Sequence, residues 1–155
     1  MQGLEAAKPY SRRLNVVDAP GGVVVIDDCY NANPASMAAA LNTLDDLAPG
    51  GRAFAVLGDM LELGATEAAD HEELGKLAGK KADVIAFFGP RSEHGFKADN
   101  LGVRAHFLDV EALTQWLRPM LQKGDVVLVK GSRGMKLERV VSALTGQSLA
   151  TGGAH

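Results

Sequence analysis

The sequence predicts an α/β fold, a three-layer sandwich with a mainly parallel sheet of about six strands and helices on both faces. Three observations carry this. Short runs of β-branched and apolar residues alternate along the chain with segments of helical periodicity. The runs are apolar throughout instead of alternating with polar residues, as strands covered on both faces are. Several of them stop at a turn of glycine, aspartate, asparagine or proline, and a parallel sheet lines such turns along one edge.

The strand at residues 23–26, Val-Val-Val-Ile, organises the rest, bounded upstream by Gly21-Gly22. A preceding run, residues 14–17, reads as an edge strand. After the central strand come Asp27-Asp28, a polar turn, and Asn33-Pro34, which reads as a helix N-cap with proline at the first helical position. Met37, Leu41, Leu44 and Leu47 then share one helical face, and Pro49-Gly50-Gly51 ends that helix. Residues 53–57 form a second apolar run, followed by a turn from Gly58 to Gly64 and a helix over about 66–79 with acidic residues early, where they complement the helix dipole. A strand at 84–88 closes at Gly89-Pro90, and a short helix is expected over about 92–98. A strand at 103–108 leads into a helix bearing Val110, Leu113, Leu117 and Leu121, which Gly124 breaks. The last strand, 126–129, runs into Lys130-Gly131-Ser132-Arg133-Gly134, and a final helix carries Leu137, Val140, Val141 and Leu144.

With 155 residues, 46% of them apolar and 23% charged, the chain has the make-up of one soluble domain with a core of its own. A net charge of −3 and an aromatic content of 5% give no reason to expect nucleic acid or an anionic membrane as partner. The single cysteine, Cys29, excludes an internal disulfide and suits a reducing cytoplasm. No stretch approaches the roughly 20 apolar residues of a membrane span, and residues 1–13 contain no signal-peptide core. Residues 1–11 read as a lead-in from a missing upstream domain, 12–146 as the domain proper, and 147–155 as a flexible tail.

Chemistry is sought where the polar turns gather. Asp27 and Asp28 sit on an extended chain and point to opposite sides, so one at most faces a cleft, where it would accept hydrogen bonds from a ribose or an amine. Asn31 and Asn33 carry amides that both donate and accept, although the N-cap role is the stronger reading for Asn33. The 130–134 turn leads glycine-flanked backbone N–H groups and two cations into a helix, an arrangement suited to a phosphate or carboxylate. His71 has no second histidine at metal-ligand spacing and reads as a surface or capping residue. Glu62 divides evenly between a cleft role and a solvated loop. No base can be named for Cys29 as a nucleophile. The phosphate-binding pattern G-x-x-x-x-G-K-[ST] is absent, as is G-x-G-x-x-G after the first strand. Residue types alone therefore leave a ligand cleft without complete catalytic machinery, and no metal site.

Three turn sequences go further. Ile-Asp-Asp-Cys-Tyr-Asn-Ala-Asn-Pro-Ala-Ser-Met (residues 26–37), Val-Leu-Gly-Asp-Met-Leu-Glu-Leu-Gly (56–64) and Val-Leu-Val-Lys-Gly-Ser-Arg-Gly-Met (127–135) resemble, in order and spacing, the Rossmann-like C-terminal domain of the Mur ligase family. Within that family they closely resemble the MurF branch. The resemblance implies an ATP-dependent amide ligase of peptidoglycan synthesis that joins D-alanyl-D-alanine to a UDP-N-acetylmuramoyl-tripeptide through an acyl phosphate. ATP and Mg²⁺ would be held mainly by a central P-loop domain of the same parent chain, on which this domain closes, so the domain alone would be inactive. The parent is expected to be a cytoplasmic monomer. By position, Arg13 resembles the arginine that reaches the nucleotide phosphates and Asp28 the aspartate that holds the ribose. Asn31, Asn33 and the Lys130, Gly131, Ser132 and Arg133 turn are similar to segments facing the amino substrate. The chain has Ser11-Arg12-Arg13 where Gly-Arg is usual, which leaves Arg12 beside Arg13 as the nucleotide contact, and Cys29 where serine is common. The matching domain of a folylpolyglutamate synthetase, or a free-standing module that binds a nucleotide or dipeptide, are the alternatives.

Overall fold

The computed structural model describes residues 15–48 and 50–147. Among these residues six strands form one sheet: β1 (Asn15–Ala19), β2 (Val23–Asp28), β3 (Ala53–Gly58), β4 (Val84–Phe88), β5 (Val103–Phe107) and β6 (Val126–Lys130). Their order across the sheet is β1-β2-β6-β3-β4-β5. Every pairing is parallel except β1 with β2, an antiparallel hairpin turned at Gly21 and Gly22, whose φ values of 81° and 79° suit glycine. The last strand thus inserts between β2 and β3, and brings the end of β6 beside the end of β2.

Among the described residues five α-helices cover the two faces: α1 (Pro34–Leu47), α2 (Glu67–Lys81), α3 (Glu93–Ala98), α4 (Val110–Leu117) and α5 (Glu138–Thr145). On one face Ile26, Leu57, Ile85, Phe87 and Leu128 pack with Met37, Leu41 and Leu44 of α1 and Leu74 and Ala78 of α2. On the other, Val25, Phe54, Val56, Val127 and Val129 pack with Leu113 and Leu117 of α4 and Val140, Val141 and Leu144 of α5. Consecutive residues of β2 and β6 feed opposite cores, as the pleat requires. Burying both faces is what makes these strands apolar without interruption.

Two helical expectations are corrected. Leu47 is 47% exposed and lies off the buried face of α1. Helix α4 ends at Leu117, and a 3-10 turn, Arg118–Met120, replaces its last turn because Pro119 has no N–H to continue the ladder. Leu121 is therefore not on that helix. The strand expected at residues 14–17 is found as Asn15–Ala19, with residue 14 outside the described residues.

Glycines let elements approach where side chains would collide. A Cβ on Gly75 of α2 would lie 2.1 Å from the carbonyl oxygen of Gly95 in α3. One on Gly131 would lie 2.7 Å from Leu137 and 3.0 Å from the Cα of Gly58. The ends of β3 and β6 thus come together only because both carry glycine.

Candidate functional site

Strands β2, β6, β3 and β4 all end at the same edge, and their four turns meet there. The meeting is held by Asp59, which directly follows β3 and is fully buried. Its carboxylate accepts from the backbone N–H groups of Ser92 (2.7 Å) and Arg91 (3.1 Å), and Arg91 Nη1 lies 3.4 Å away. The Asp59 carbonyl accepts from Ser132 N–H at 3.0 Å, and Ser132 Oγ accepts from Leu61 N–H at 2.9 Å. Arg91 Nε also donates to Glu67 at 2.9 Å. The β3, β4 and β6 turns are thereby fixed to one another.

Asp28 and Lys130 are register partners at the ends of β2 and β6. Both point to the α1 face, continuing the alternation set by Ile26 and Leu128. Lys130 Nζ donates to Asp28 Oδ2 at 2.9 Å and to the Asn31 carbonyl at 2.8 Å. The residues are 6% and 3% exposed, which makes this a buried ion pair. Asp28 is thus a buried, paired carboxylate at the edge of the cleft. Among the described residues, its other oxygen, Oδ1, makes no hydrogen bond. A shallow depression lies over the pair, lined by Asp28, Tyr30, Asn31, Ser36 and Lys130.

The rim is built by the turn into α1. Asn33 is the N-cap: its side-chain oxygen accepts from Ser36 N–H at 2.8 Å, and Ser36 Oγ accepts from Asn33 N–H at 3.1 Å. Asn31 Oδ1 accepts from Ala32 N–H at 2.8 Å, which leaves its side-chain NH₂ at the exposed rim. Tyr30 is 66% exposed, and the Arg133 guanidinium lies 5.5 Å from its ring centroid. Two non-glycine residues of this edge, Glu62 and Lys136, hold left-handed φ values of 64° and 55°, a strain that tends to gather at functional sites.

The residues singled out in the sequence thus fall into two groups. Asp28, Asn31 and Lys130 line the depression, and Arg133 stands beside it over the Tyr30 ring. Asn33 caps the helix, Ser132 points inward to Leu61, and Gly131 serves the close contact with Gly58. Arg12 and Arg13 lie outside the described residues. Tyr30 and Ser36 line the depression without having been singled out, and the aromatic inside a turn of asparagines was the available signal.

Two other expectations resolve. His71 is 1% exposed, not a surface residue. Its Nε2 accepts from Met60 N–H at 3.1 Å, so the ring proton sits on Nδ1, 2.8 Å from the Glu67 carbonyl. It ties α2 to the β3 turn. The Cys29 thiol points to the Val129 carbonyl at 3.7 Å, and burial, with the charge of Asp27 adding to it, pushes its pKa well above the usual thiol range. An unionised thiol is a poor nucleophile. Among the described residues no cluster of His, Cys, Asp and Glu is arranged to hold a metal, and no helix is long and apolar enough to cross a membrane.

Comparison with known proteins places this edge in context. The family model for the Mur ligase, glutamate ligase domain, matches residues 12–133. The UDP-N-acetylmuramoyl-tripeptide–D-alanyl-D-alanine ligase of Bacillus subtilis is 36% identical over 92% of this chain and 32% of its own length. That of Escherichia coli is 37% identical over 92% of this chain and 31% of its own. The chain therefore spans about a third of the curated relatives it matches. Among solved structures, the MurF ligase of Thermotoga maritima in complex with ADP superposes with a TM-score of 0.77 at 33% identity, covering 86% of this chain and 30% of that one. A bifunctional folylpolyglutamate synthase/dihydrofolate synthase from Yersinia pestis reaches 0.60 at 21% identity, a likeness of fold alone.

Proposed function

The chain belongs to the Mur ligase family, and from that premise we propose that it is the C-terminal, substrate-closing domain of a ligase that adds D-alanyl-D-alanine to a UDP-N-acetylmuramoyl-tripeptide. The observation that carries the reading is the identity of 36% with the Bacillus subtilis ligase of that name over nearly the whole chain. The convergence of the β2, β3 and β6 turns on one edge supports it, because those turns are the three sequences that carry the family likeness. In this reading residues 12–146 form the domain. The parent's remaining domains hold the UDP-peptide and, with Mg²⁺, most of the ATP, and the reaction runs in the cytoplasm.

The chemistry available here suits a partial role. Asp28 lines the depression and keeps one carboxylate oxygen without a partner among the described residues, the kind of acceptor that takes a ribose hydroxyl. Asn31 and Arg133 offer donors at the rim, suited to the carbonyl and carboxylate of a dipeptide. Arg13, or Arg12 beside it, supplies the phosphate contact. The sequence carries no loop that would cradle β- and γ-phosphates, so the chain alone performs no ATP-dependent ligation.

A titration of D-alanyl-D-alanine into the chain, followed by amide chemical shifts, tests this. Part of the site is expected to come from neighbouring domains on closure, so affinity should be no tighter than about millimolar, near −4 kcal/mol. Shifts confined to Asn31, Asn33 and residues 131–134 are the expected result. Shifts clustered at the opposite edge of the sheet, or micromolar affinity, would overturn it.

A further inference from the structure

Lys130 was read from the sequence as a contact for the amino substrate, and its surroundings point elsewhere. Its side chain is 4% exposed. An ammonium has three N–H donors. Two of them are engaged within the protein, on Asp28 Oδ2 at 2.9 Å and on the Asn31 carbonyl at 2.8 Å. These two acceptors belong to different parts of the site: one is the carboxylate at the end of β2, the other the backbone of the turn into α1. A single ammonium thus joins them across the β2–β6 register.

We propose that Lys130 is a positioning residue: it clamps Asp28 Oδ2 and the Asn31 carbonyl so that Asp28 Oδ1 is held toward the depression as a fixed acceptor for a vicinal diol. The proposal rests on the reading of Asp28 as the nucleotide contact, and deepens it. Such a clamp would fix a group that otherwise turns. An aspartate carboxylate rotates about its terminal torsion, a broad and roughly two-fold rotor. With one oxygen pinned in a nearly water-free setting the other has one direction left. Orientation fixed before binding spares the ligand the cost of ordering it. A lysine suits the task because the pinned groups, one carboxylate oxygen and one carbonyl, lie apart and need single donors; the planar fork of arginine fits two parallel acceptors.

Two measurements on the chain test this. In the wild type, an NMR correlation between Lys130 Nζ and the Asp28 carboxyl carbon should persist when ATP or D-alanyl-D-alanine is added. Its loss on adding either would make Lys130 a direct ligand contact and overturn the proposal. In Lys130→Gln, with folding checked by the amide spectrum, ATP should bind about tenfold more weakly. 2′,3′-Dideoxy-ATP should bind the wild type as weakly as ATP binds the variant. A folded variant that binds ATP like the wild type overturns the positioning role and leaves the nucleotide reading standing. Equal affinity of the wild type for ATP and the dideoxy analogue removes Asp28 as the nucleotide contact and the proposal with it, and a wild type without the Lys130–Asp28 correlation removes the clamp however weakly ATP binds. If Lys130→Gln fails to fold, the wild-type correlation and the analogue comparison decide the matter by themselves.

Discussion

The two ends of the sheet use the same chemistry to different completeness. At the amino end, Asp125 opens the turn into β6 with its side chain 3% exposed. Arg52 Nε and Nη2 take its two oxygens at 3.2 and 2.8 Å, and Gln122 N–H donates at 2.7 Å. Asp83 accepts from Ala53 N–H at 2.9 Å, and Gly51 packs against the Gly124 backbone so tightly that a Cβ would lie 2.1 Å from its carbonyl oxygen. There both oxygens of the buried aspartate are answered from within the fold. At the carboxyl end Asp59 is saturated in the same way, but Asp28 keeps one oxygen without a partner among the described residues, beside a depression. Buried polar groups are nearly always satisfied, so in the proposed function this exception is where a ligand hydroxyl would complete the set. A cation beside a buried aspartate does not by itself distinguish the two ends; the unpaired oxygen does.

The sharpest way to break this contrast is Asp59→Ala. If Asp59 belongs with the closed, structural groups, its loss strands the N–H groups of Ser92 and Arg91 in the interior. The expected destabilisation is about 3–4 kcal/mol, read from urea unfolding. A loss under about 1 kcal/mol, with ligand binding abolished, would move Asp59 into the site and erase the distinction.

Asp125→Asn comes next. Arg52 is 41% exposed, so solvent screens the pair, and the cost should be about 2 kcal/mol at neutral pH, most of it from the lost fork and the Gln122 bond. The pH dependence gives a second reading. Burial pushes the Asp125 carboxyl up, but the Arg52 hydrogen bond, the Gln122 and Arg52 backbone bonds and the Arg52 charge together hold it below its ordinary value of 3.8. A carboxyl depressed in the folded state binds fewer protons there than when unfolded. Its contribution is therefore complete above the unfolded value and is lost as pH falls below it. Urea midpoints from pH 7 down to about pH 2 should fall less steeply for Asp125→Asn than for the wild type. Parallel curves would show that the amino-end pair carries no such linkage.

The sequence discloses these two ends unequally. The strands were readable because covering both faces demands uninterrupted runs such as 23–26 and 126–129, and the cap at Asn33-Pro34 announced helix α1. Pro119 was visible too, yet the spacing of Leu117 and Leu121 outweighed it. What could not be read was adjacency. Asp28 and Lys130 are 102 positions apart, and only the insertion of β6 between β2 and β3 joins them. The order of strands follows from how four crossovers pack together, not from any local pattern. The burial of His71 was hidden for the same reason, since its partner Met60 lies in a turn whose position depends on the sheet. Tyr30 escaped notice because an exposed aromatic has no periodic signature.

The smallest expected effect on stability is also the one that separates the two ends most cleanly. Tyr30→Leu removes an exposed ring whose contact with the fold is the Arg133 guanidinium 5.5 Å from its centroid. A cation–π contact at an exposed site contributes about 0.5 kcal/mol, and a leucine covers part of the same surface, so unfolding should shift by no more than that. Arg133 itself is exposed and has no carboxylate partner among the described residues, so without the ring it samples more rotamers before a ligand arrives. A bound dipeptide carboxylate would then have to order it, at a cost of about 0.5–1.5 kcal/mol for a long side chain. The dissociation constant for D-alanyl-D-alanine should rise about three- to tenfold while the urea midpoint barely moves, and Tyr30→Phe, which keeps the ring face, should bind like the wild type. The amino end offers no equivalent, because each substitution there acts through stability first. Should Tyr30→Leu destabilise the fold by more than about 1 kcal/mol, or leave dipeptide affinity unchanged, Arg133 would have no stake in the ligand and the open part of the carboxyl end would shrink to Asp28 and Asn31.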